Sequence, residues 1–298
     1  MGRLAFVFSG QGDQFPGMGK NFYDASEAAR AVFDTCDAIR PGTSETCFSG
    51  TAEALKQTAV TQPCLYAMEL AAANALKAEG AAPEAVAGFS LGEVAAAAFA
   101  GLYDLETGFR LVSKRGALMQ RESEKFDTSM AAVLKLSEAQ IRALCGRYTD
   151  LYPVNFNCPG QITVSGLKDQ MSAFLADVKE AGGRGVPLKV SGAFHSPFMA
   201  EAAGAFRKEL DAVELNEPRI PLYSDLTAEP YSEDARELLS KQICSPVRWE
   251  ILIRNLIAEG FDTFVEIGPG KTLVNLIRKT DPSVRALTAG EYLEELHA

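Results

Sequence analysis

Histidine is scarce in this chain: only His195 and His297 occur among 298 residues. The six cysteines (Cys36, Cys47, Cys64, Cys145, Cys158 and Cys244) are scattered without a C-x-x-C pair. That spacing argues for reduced thiols and against a structural zinc site, so no metal is expected. No apolar run approaches the ~20 residues of a membrane helix, and the N-terminus lacks the basic segment, long apolar run and cleavage pattern of a signal peptide. The expectation is a cytoplasmic protein with no membrane partner. A basic excess is also missing: 29 Lys and Arg against 39 Asp and Glu leave a formal charge of -10, which disfavours broad nucleic-acid binding. There are no repeats and no low-complexity tract. What remains, at 47% hydrophobic and 23% charged, can bury a large core as one elaborated domain or a main domain with an insert.

The most informative string present is Gly88-Phe89-Ser90-Leu91-Gly92. An apolar stretch, Ala85 to Ala87, runs into it and an alanine-rich helical stretch, Glu93 to Ala100, runs out. A serine on such a strand-to-helix elbow has its hydroxyl pushed outward, while the flanking glycines let neighbouring backbone come close. Ser90 is therefore a candidate nucleophile, and the Leu91 amide at the helix start is a candidate oxyanion donor. A tight turn that merely needs small residues accounts for the string equally well. Histidine usage separates the two readings. A serine needs a base, and His297 lies at the chain end, where fraying is usual, which leaves His195. His195 sits in a small-residue segment, Val190 to Phe198, that interrupts two regular patterns.

The apolar run Leu4 to Phe8 reads as a buried strand ending in the glycine-bearing loop Ser9 to Gln14. Helical patterning follows over Asn21 to Arg40 and Thr61 to Glu79, leading to the elbow. This alternation predicts an α/β fold with a mainly parallel sheet and helices on both faces. Gly10, Gln11 and Ser90 then share the carboxyl edge of the sheet, where ligands gather, and the loop after the first strand could supply a second oxyanion donor. Between Asp127 and Ser191 the rhythm changes to strand Met130 to Leu136, helix Ser137 to Tyr148 with Ser137 as N-cap, strands Tyr152 to Phe156 and Gln161 to Ser165, helix Lys168 to Ala181 and strand Arg184 to Val190. That βαββαβ order is the ferredoxin-like unit. The expected division is a large α/β domain over 1–126 and 192–298 with an inserted ferredoxin-like subdomain over 127–191. Strands Arg219 to Tyr223 and Thr263 to Ile267 and helices Ile251 to Ala258 and Lys271 to Lys279 resume the α/β pattern.

One charge is out of place. On the helical stretch Leu105 to Glu124, Arg115 falls amid Gly108, Leu111, Val112, Leu118 and Met119. A guanidinium on an inward stripe needs an anion. Glu122, two turns along the same face, is one candidate; a substrate carboxylate, for which the guanidinium fork is suited, is the other. Arg110, Lys114, Arg121 and Lys125 share an outward stripe, read as a solvated face or, alternatively, as a docking surface. Lys179, Arg184 and Lys189 form a second basic group.

Together, Gly10 to Gln14, Gly88 to Glu93, Arg115, Asn155 to Gln161, Gly192 to Ser196, Ser245 to Trp249 and Glu266 to Lys271 resemble the malonyl-CoA:acyl-carrier-protein transacylases, over nearly the whole chain. The resemblance implies malonyl-CoA and acyl carrier protein as partners, no cofactor, and ping-pong transfer through a Ser90 ester in fatty acid synthesis. It implies His195 as general base and acid, the Gln11 and Leu91 amides as oxyanion hole, and Arg115 as carboxylate clamp. It also implies that a main-chain carbonyl near Arg248 orients the histidine, and that Phe89, Asn157, Phe194 and Arg248 belong to the pocket. The family usually has histidine where this chain has Phe89, which puts acyl selectivity in question. In malonyl-selective relatives a phenylalanine placed like Phe194 crowds an α-methyl branch. Two rivals stand beside this reading. One is a free-standing acyltransferase loading polyketide synthase carriers. The other is a patatin-type Ser-Asp hydrolase, disfavoured because the chain has no Asp-Gly pair.

Overall fold

The computed structural model describes residues 2–188, 190, 192–232 and 234–298. Lys189, within the last expected subdomain strand and the second basic group, and Ser191, in the histidine segment, lie outside the described residues.

Five strands, β1 (Arg3–Phe8), β2 (Ala85–Gly88), β7 (Leu222–Tyr223), β8 (Phe261–Ile267) and β9 (Arg285–Thr288), form a sheet in the order β7-β2-β1-β8-β9, parallel at each pairing. Helices pack on both faces, so the central strands are apolar on both sides rather than alternating. The longest helix, Thr58–Ala78, is buried almost all round and rich in alanine, which lets Glu27–Ile39, Leu91–Ala100 and Leu105–Ser123 approach closely. Its Pro63 removes a helical N–H, and the Ala59 carbonyl one turn back accepts from Arg40 Nη1 at 3.4 Å instead.

The other four strands, β3 (Thr128–Leu134), β4 (Leu151–Cys158), β5 (Gln161–Leu167) and β6 (Arg184–Pro187), form an antiparallel sheet in the order β4-β5-β3-β6. In subdomain order this is 2-3-1-4, the ferredoxin-like arrangement. Helices Glu138–Cys145 and Lys168–Glu180 cover one face, where Val133, Phe156, Ile162 and Val164 meet Ile141 and Phe174. The two-residue period of a strand then turns Ala132, Asn155, Asn157 and Thr163 to the opposite face. Ser137 caps the first helix reciprocally with Gln140: its Oγ accepts from the Gln140 N–H at 3.3 Å, and Gln140 Oε1 accepts from the Ser137 N–H at 2.9 Å. Val247 ties β4 to the main body, donating to Val154 O at 2.8 Å and accepting from Phe156 N at 2.9 Å.

Several element bounds differ from expectation. The stretch Asn21 to Arg40 is two helices, Lys20–Ala25 and Glu27–Ile39, because Ser26 takes an extended conformation and its side chain accepts from Ala29 N as an N-cap. Strand β6 stops at Pro187, and the expected strand from Arg219 shrinks to β7. Strand β9 and helices Thr43–Ser49, Ala200–Asp211 and Ala289–Leu296 are additional. The last of these is capped by His297, whose Nε2 lies 3.1 Å from Glu79 Oε2, so this chain end is docked. Among the described residues no helix is long and apolar enough to cross a membrane, and no group of three or more His, Cys, Asp or Glu is placed to hold a metal ion.

Candidate active site

Ser90 joins β2 to the helix Leu91–Ala100 with φ 56° and ψ -108°, a conformation costly for a residue with a Cβ. The turn is possible because both flanking glycines are in contact with backbone. A Cβ at Gly92 would collide with the Phe8 and Ser9 carbonyl oxygens, and one at Gly88 with the Glu93 amide. Side chains from two distant segments hold the strained residue: its N–H donates to Asp225 Oδ2 at 2.6 Å, and its carbonyl accepts from Gln242 Nε2 at 2.8 Å. Leu91, the first residue of the helix, has an N–H without an intrahelical acceptor and aligned with the helix dipole.

His195, also at positive φ (61°), is positioned by its N–H on Ile243 O at 3.2 Å. Its Nε2 is 2.7 Å from Ser90 Oγ and its Nδ1 is 2.9 Å from the Gln242 carbonyl oxygen. A carbonyl only accepts, so Nδ1 carries the hydrogen and Nε2 presents its lone pair to the serine. Burial, reinforced by the Arg115 charge, pushes the imidazole pKa down to about 4 against the opposing pull of the Gln242 and Ser245 carbonyls. The orienting carbonyl is therefore that of Gln242, in the short 3₁₀ turn Gln242–Cys244, rather than one near Arg248. The Arg248 carbonyl is taken by the next helix, accepting from Leu252 N at 3.0 Å, and its side chain is exposed with Nη1 on Thr227 O at 3.1 Å.

Arg115 is fully buried on the helix Leu105–Ser123. Its Nη1 donates to Gln62 Oε1 at 2.9 Å, and its Nη2 to Gln242 Oε1 at 2.7 Å and to Ser90 Oγ at 3.2 Å. Glu122 is not its partner: that carboxylate pairs with Lys125 at 2.7 Å and Arg121 at 3.4 Å. A helical side chain leans toward the N-terminus, so Arg115 reaches away from a residue two turns C-terminal to it. Burial lowers the guanidinium pKa to about 10, opposed by the nearby Asp225 and Glu93, so it is charged at neutral pH.

A cavity of about 430 Å³ lies between the two sheets. Gln11 and Phe89 form its wall on the Ser90 side, and Ala132, Asn155, Asn157 and Thr163 form it on the antiparallel side. Ser90, Leu91, Arg115, His195, Phe194 and Arg248 are not part of its walls. Phe89 leans on Trp249 with ring centroids 5.4 Å apart. Phe194 is buried in the main core, its carbonyl accepting from Ser165 Oγ at 3.3 Å. Asn157 donates to Thr163 Oγ1 at 3.3 Å and leaves its own buried Oδ1 without a partner among the described residues. The exposed stripe of Arg110, Lys114, Arg121 and Lys125 contributes nothing to this cavity, and acids answer much of its charge: Glu209 at Lys114 (3.9 Å) and Glu201 at Lys125 (2.7 Å), besides Glu122. Lys56 lines the cavity, and Lys279 bonds Gln161, another wall residue, at 3.2 Å.

Residues 5–295 match the family model described as acyl transferase domain. The chain is 36% identical over 299 residues to a malonyl CoA-acyl carrier protein transacylase of Bacillus subtilis, covering 98% of this chain and 94% of that one. The chain belongs to the malonyl-CoA:acyl-carrier-protein transacylase family. It is an acyltransferase. A polyketide biosynthesis malonyl CoA-acyl carrier protein transacylase of Bacillus subtilis is also 36% identical, over 95% of this chain and 99% of its own length. The crystal structure of the transacylase from Clostridium perfringens superposes with a TM-score of 0.95 at 33% identity, covering 99% of this chain and 97% of the other.

For a member of this family, the unforeseen residues are those behind Ser90. Gln62, Gln242, Glu93 and the pair Asp225 and Tyr231 come from four separate segments and meet only in the fold. Glu93 alone had a legible signal, a single acid within an otherwise apolar, alanine-rich helix, and the structure buries it fully.

Proposed function

We propose that this chain transfers malonyl from malonyl-CoA to the phosphopantetheine thiol of acyl carrier protein through an ester on Ser90. His195 Nε2 takes the Ser90 hydroxyl proton as Oγ attacks the thioester carbonyl. The tetrahedral oxyanion is held by the backbone N–H groups of Leu91 and Gln11. Collapse breaks the carbon–sulfur bond, and the departing CoA thiolate takes the proton from His195. The carrier thiol then gives its proton to His195, attacks the ester, and Ser90 Oγ recovers that proton on leaving. Arg115 binds the malonyl carboxylate, fixing the carbonyl for attack and disfavouring acetyl groups, which would leave its buried charge without a substrate anion.

One observation carries this reading: a single serine oxygen lies 2.7 Å from a buried imidazole and 3.2 Å from a buried guanidinium. The remaining parts of the reading are a cytoplasmic protein without cofactor or metal, working in fatty acid synthesis, with residues 127–191 as a subdomain inserted between 1–126 and 192–298. Polyketide carriers are the second reading, favoured by a polyketide-pathway relative of equal identity. Comparing acceptor carriers separates the two. Intact mass after mixing with malonyl-CoA tests the central claim. Wild type gains one malonyl group, which carrier protein discharges, and Ser90→Ala gains none. A full adduct on the alanine variant would move the nucleophile elsewhere.

A further inference from the structure

Behind the nucleophile lie two fully buried carboxyls from distant segments, Glu93 on the helix Leu91–Ala100 and Asp225 in the loop after β7. Their hydrogen-bond surroundings differ. Glu93 receives donors on both oxygens: the Asp225 N–H at 2.8 Å and Gln242 Nε2 at 3.1 Å on Oε2, and the Tyr231 hydroxyl on Oε1. That is the environment of an ionised, acceptor-only carboxylate. Asp225 receives one donor, the Ser90 N–H on Oδ2, while its buried Oδ1 has none among the described residues, and the Asp225 N–H bound to Glu93 Oε2 holds the two carboxyls side by side. Two bare carboxylates held side by side in a buried site repel, and an orphaned buried oxygen is costly; one proton on Asp225 Oδ1, directed at Glu93, answers both problems.

We propose that Glu93 and Asp225 share one proton, Asp225 standing neutral as a hydrogen-bond donor to ionised Glu93, and that this pair positions the nucleophile, the base and the guanidinium together. Gln242 is the link. Its side chain is held by Glu93 and in turn holds Arg115 and the Ser90 carbonyl, while its main-chain carbonyl holds His195. Asp225 holds the Ser90 N–H and keeps the elbow in its strained conformation. The pair also leaves one resident negative charge opposite Arg115, in place of two. The charged and titratable groups facing it are Arg115 from the helix Leu105–Ser123, Tyr103 from the turn before that helix, Tyr231 beyond β7, and His195 across Gln242. Burial and the Glu93 charge both raise the Asp225 pKa well above the ordinary range.

The deduction rests on Ser90 as nucleophile only for its catalytic consequence; its electrostatics are tested without substrate. A carboxyl that stays protonated in the fold and ionises on unfolding makes stability fall as pH rises from about 4 toward its folded pKa. Asp225→Asn keeps the donor and acceptor but cannot ionise. Melting temperatures measured from about pH 5 to about pH 9 should therefore diverge in its favour by roughly 2 °C per pH unit within that window. Glu93→Gln, which removes the anion that keeps Asp225 neutral, should lose the same slope. This second variant keeps the test open if the first does not fold. In steady-state assays, Asp225→Ala should lower kcat by about tenfold or more with little change in KM, and Asp225→Asn should recover most of the loss. Melting differences that are flat with pH in both variants, or equal losses of kcat for Asn and Ala at position 225, would overturn the shared proton.

Discussion

In the parallel sheet, β2 is buried throughout and β1 nearly so, with side chains covered on both faces, whereas in the antiparallel sheet β6 has no fully buried residue, one face is packed by the helices Glu138–Cys145 and Lys168–Glu180, and the other face is turned toward the main body. The first arrangement leaves a catalytic group nowhere to stand except at strand ends, and Ser9, Gln11, Ser90 and Asp225 all follow the carboxyl ends of parallel strands. The second carries polar side chains on the face turned toward the main body, and it supplies Asn155, Asn157 and Thr163 to the cavity wall. On the mechanism proposed above, bond making falls to the parallel sheet and reception of the substrate arm to the antiparallel one. Substitutions on the two sides should therefore affect different kinetic constants.

The largest expected effect is on the parallel side. His195→Ala should slow transfer by a factor on the order of 10²–10⁴, as losing a general base does, while His297→Ala should be silent. A normal rate in the His195 variant would break the assignment. The wild-type pH profile sharpens it: because burial holds the imidazole pKa at about 4, kcat/KM for malonyl-CoA should keep its plateau down through the ordinary histidine range and fall only near that lower value, as the base becomes protonated. An acid limb centred near 6.5 would mean that the imidazole titrates as if exposed.

Next comes Arg115→Ala, which should reduce malonyl loading by about 10²-fold or more and acetyl loading far less, since only malonyl brings a carboxylate to the guanidinium. Equal losses would make Arg115 a structural link between Gln62 and Gln242. The smallest effect belongs to the antiparallel side. Asn157→Ala, read by steady-state kinetics, should raise KM for malonyl-CoA by about tenfold or less while leaving kcat near wild type, since one hydrogen-bonding group in the wall contributes about 1 kcal/mol. A fall in kcat with KM unchanged would erase the division of labour between the sheets.

Much of this site was legible because its main parts are local. The elbow needs glycine two positions before and two positions after Ser90, and the collisions awaiting a Cβ at Gly88 and Gly92 give that pattern a steric cause. His195 was legible by scarcity and Arg115 by its position on an apolar stripe. The wrong details were pairings across the fold. Glu122 lies on the right face of the helix, yet side-chain direction sends Arg115 to glutamines on two other segments. The carbonyl holding His195 belongs to Gln242 because helix capping occupies that of Arg248.

By itself the sequence determined what backbone geometry and side-chain periodicity dictate over a few residues: the strand-turn-helix at Ser90, the alternation that builds a parallel sheet, and the βαββαβ order of the smaller one. Only the tertiary structure decided which buried polar groups satisfy one another. A hydrogen bond such as Ser90 N–H to Asp225 spans 135 residues and leaves no periodic trace, and burial, which sets the protonation of Asp225, His195 and Arg115, exists only once the chain has closed around them.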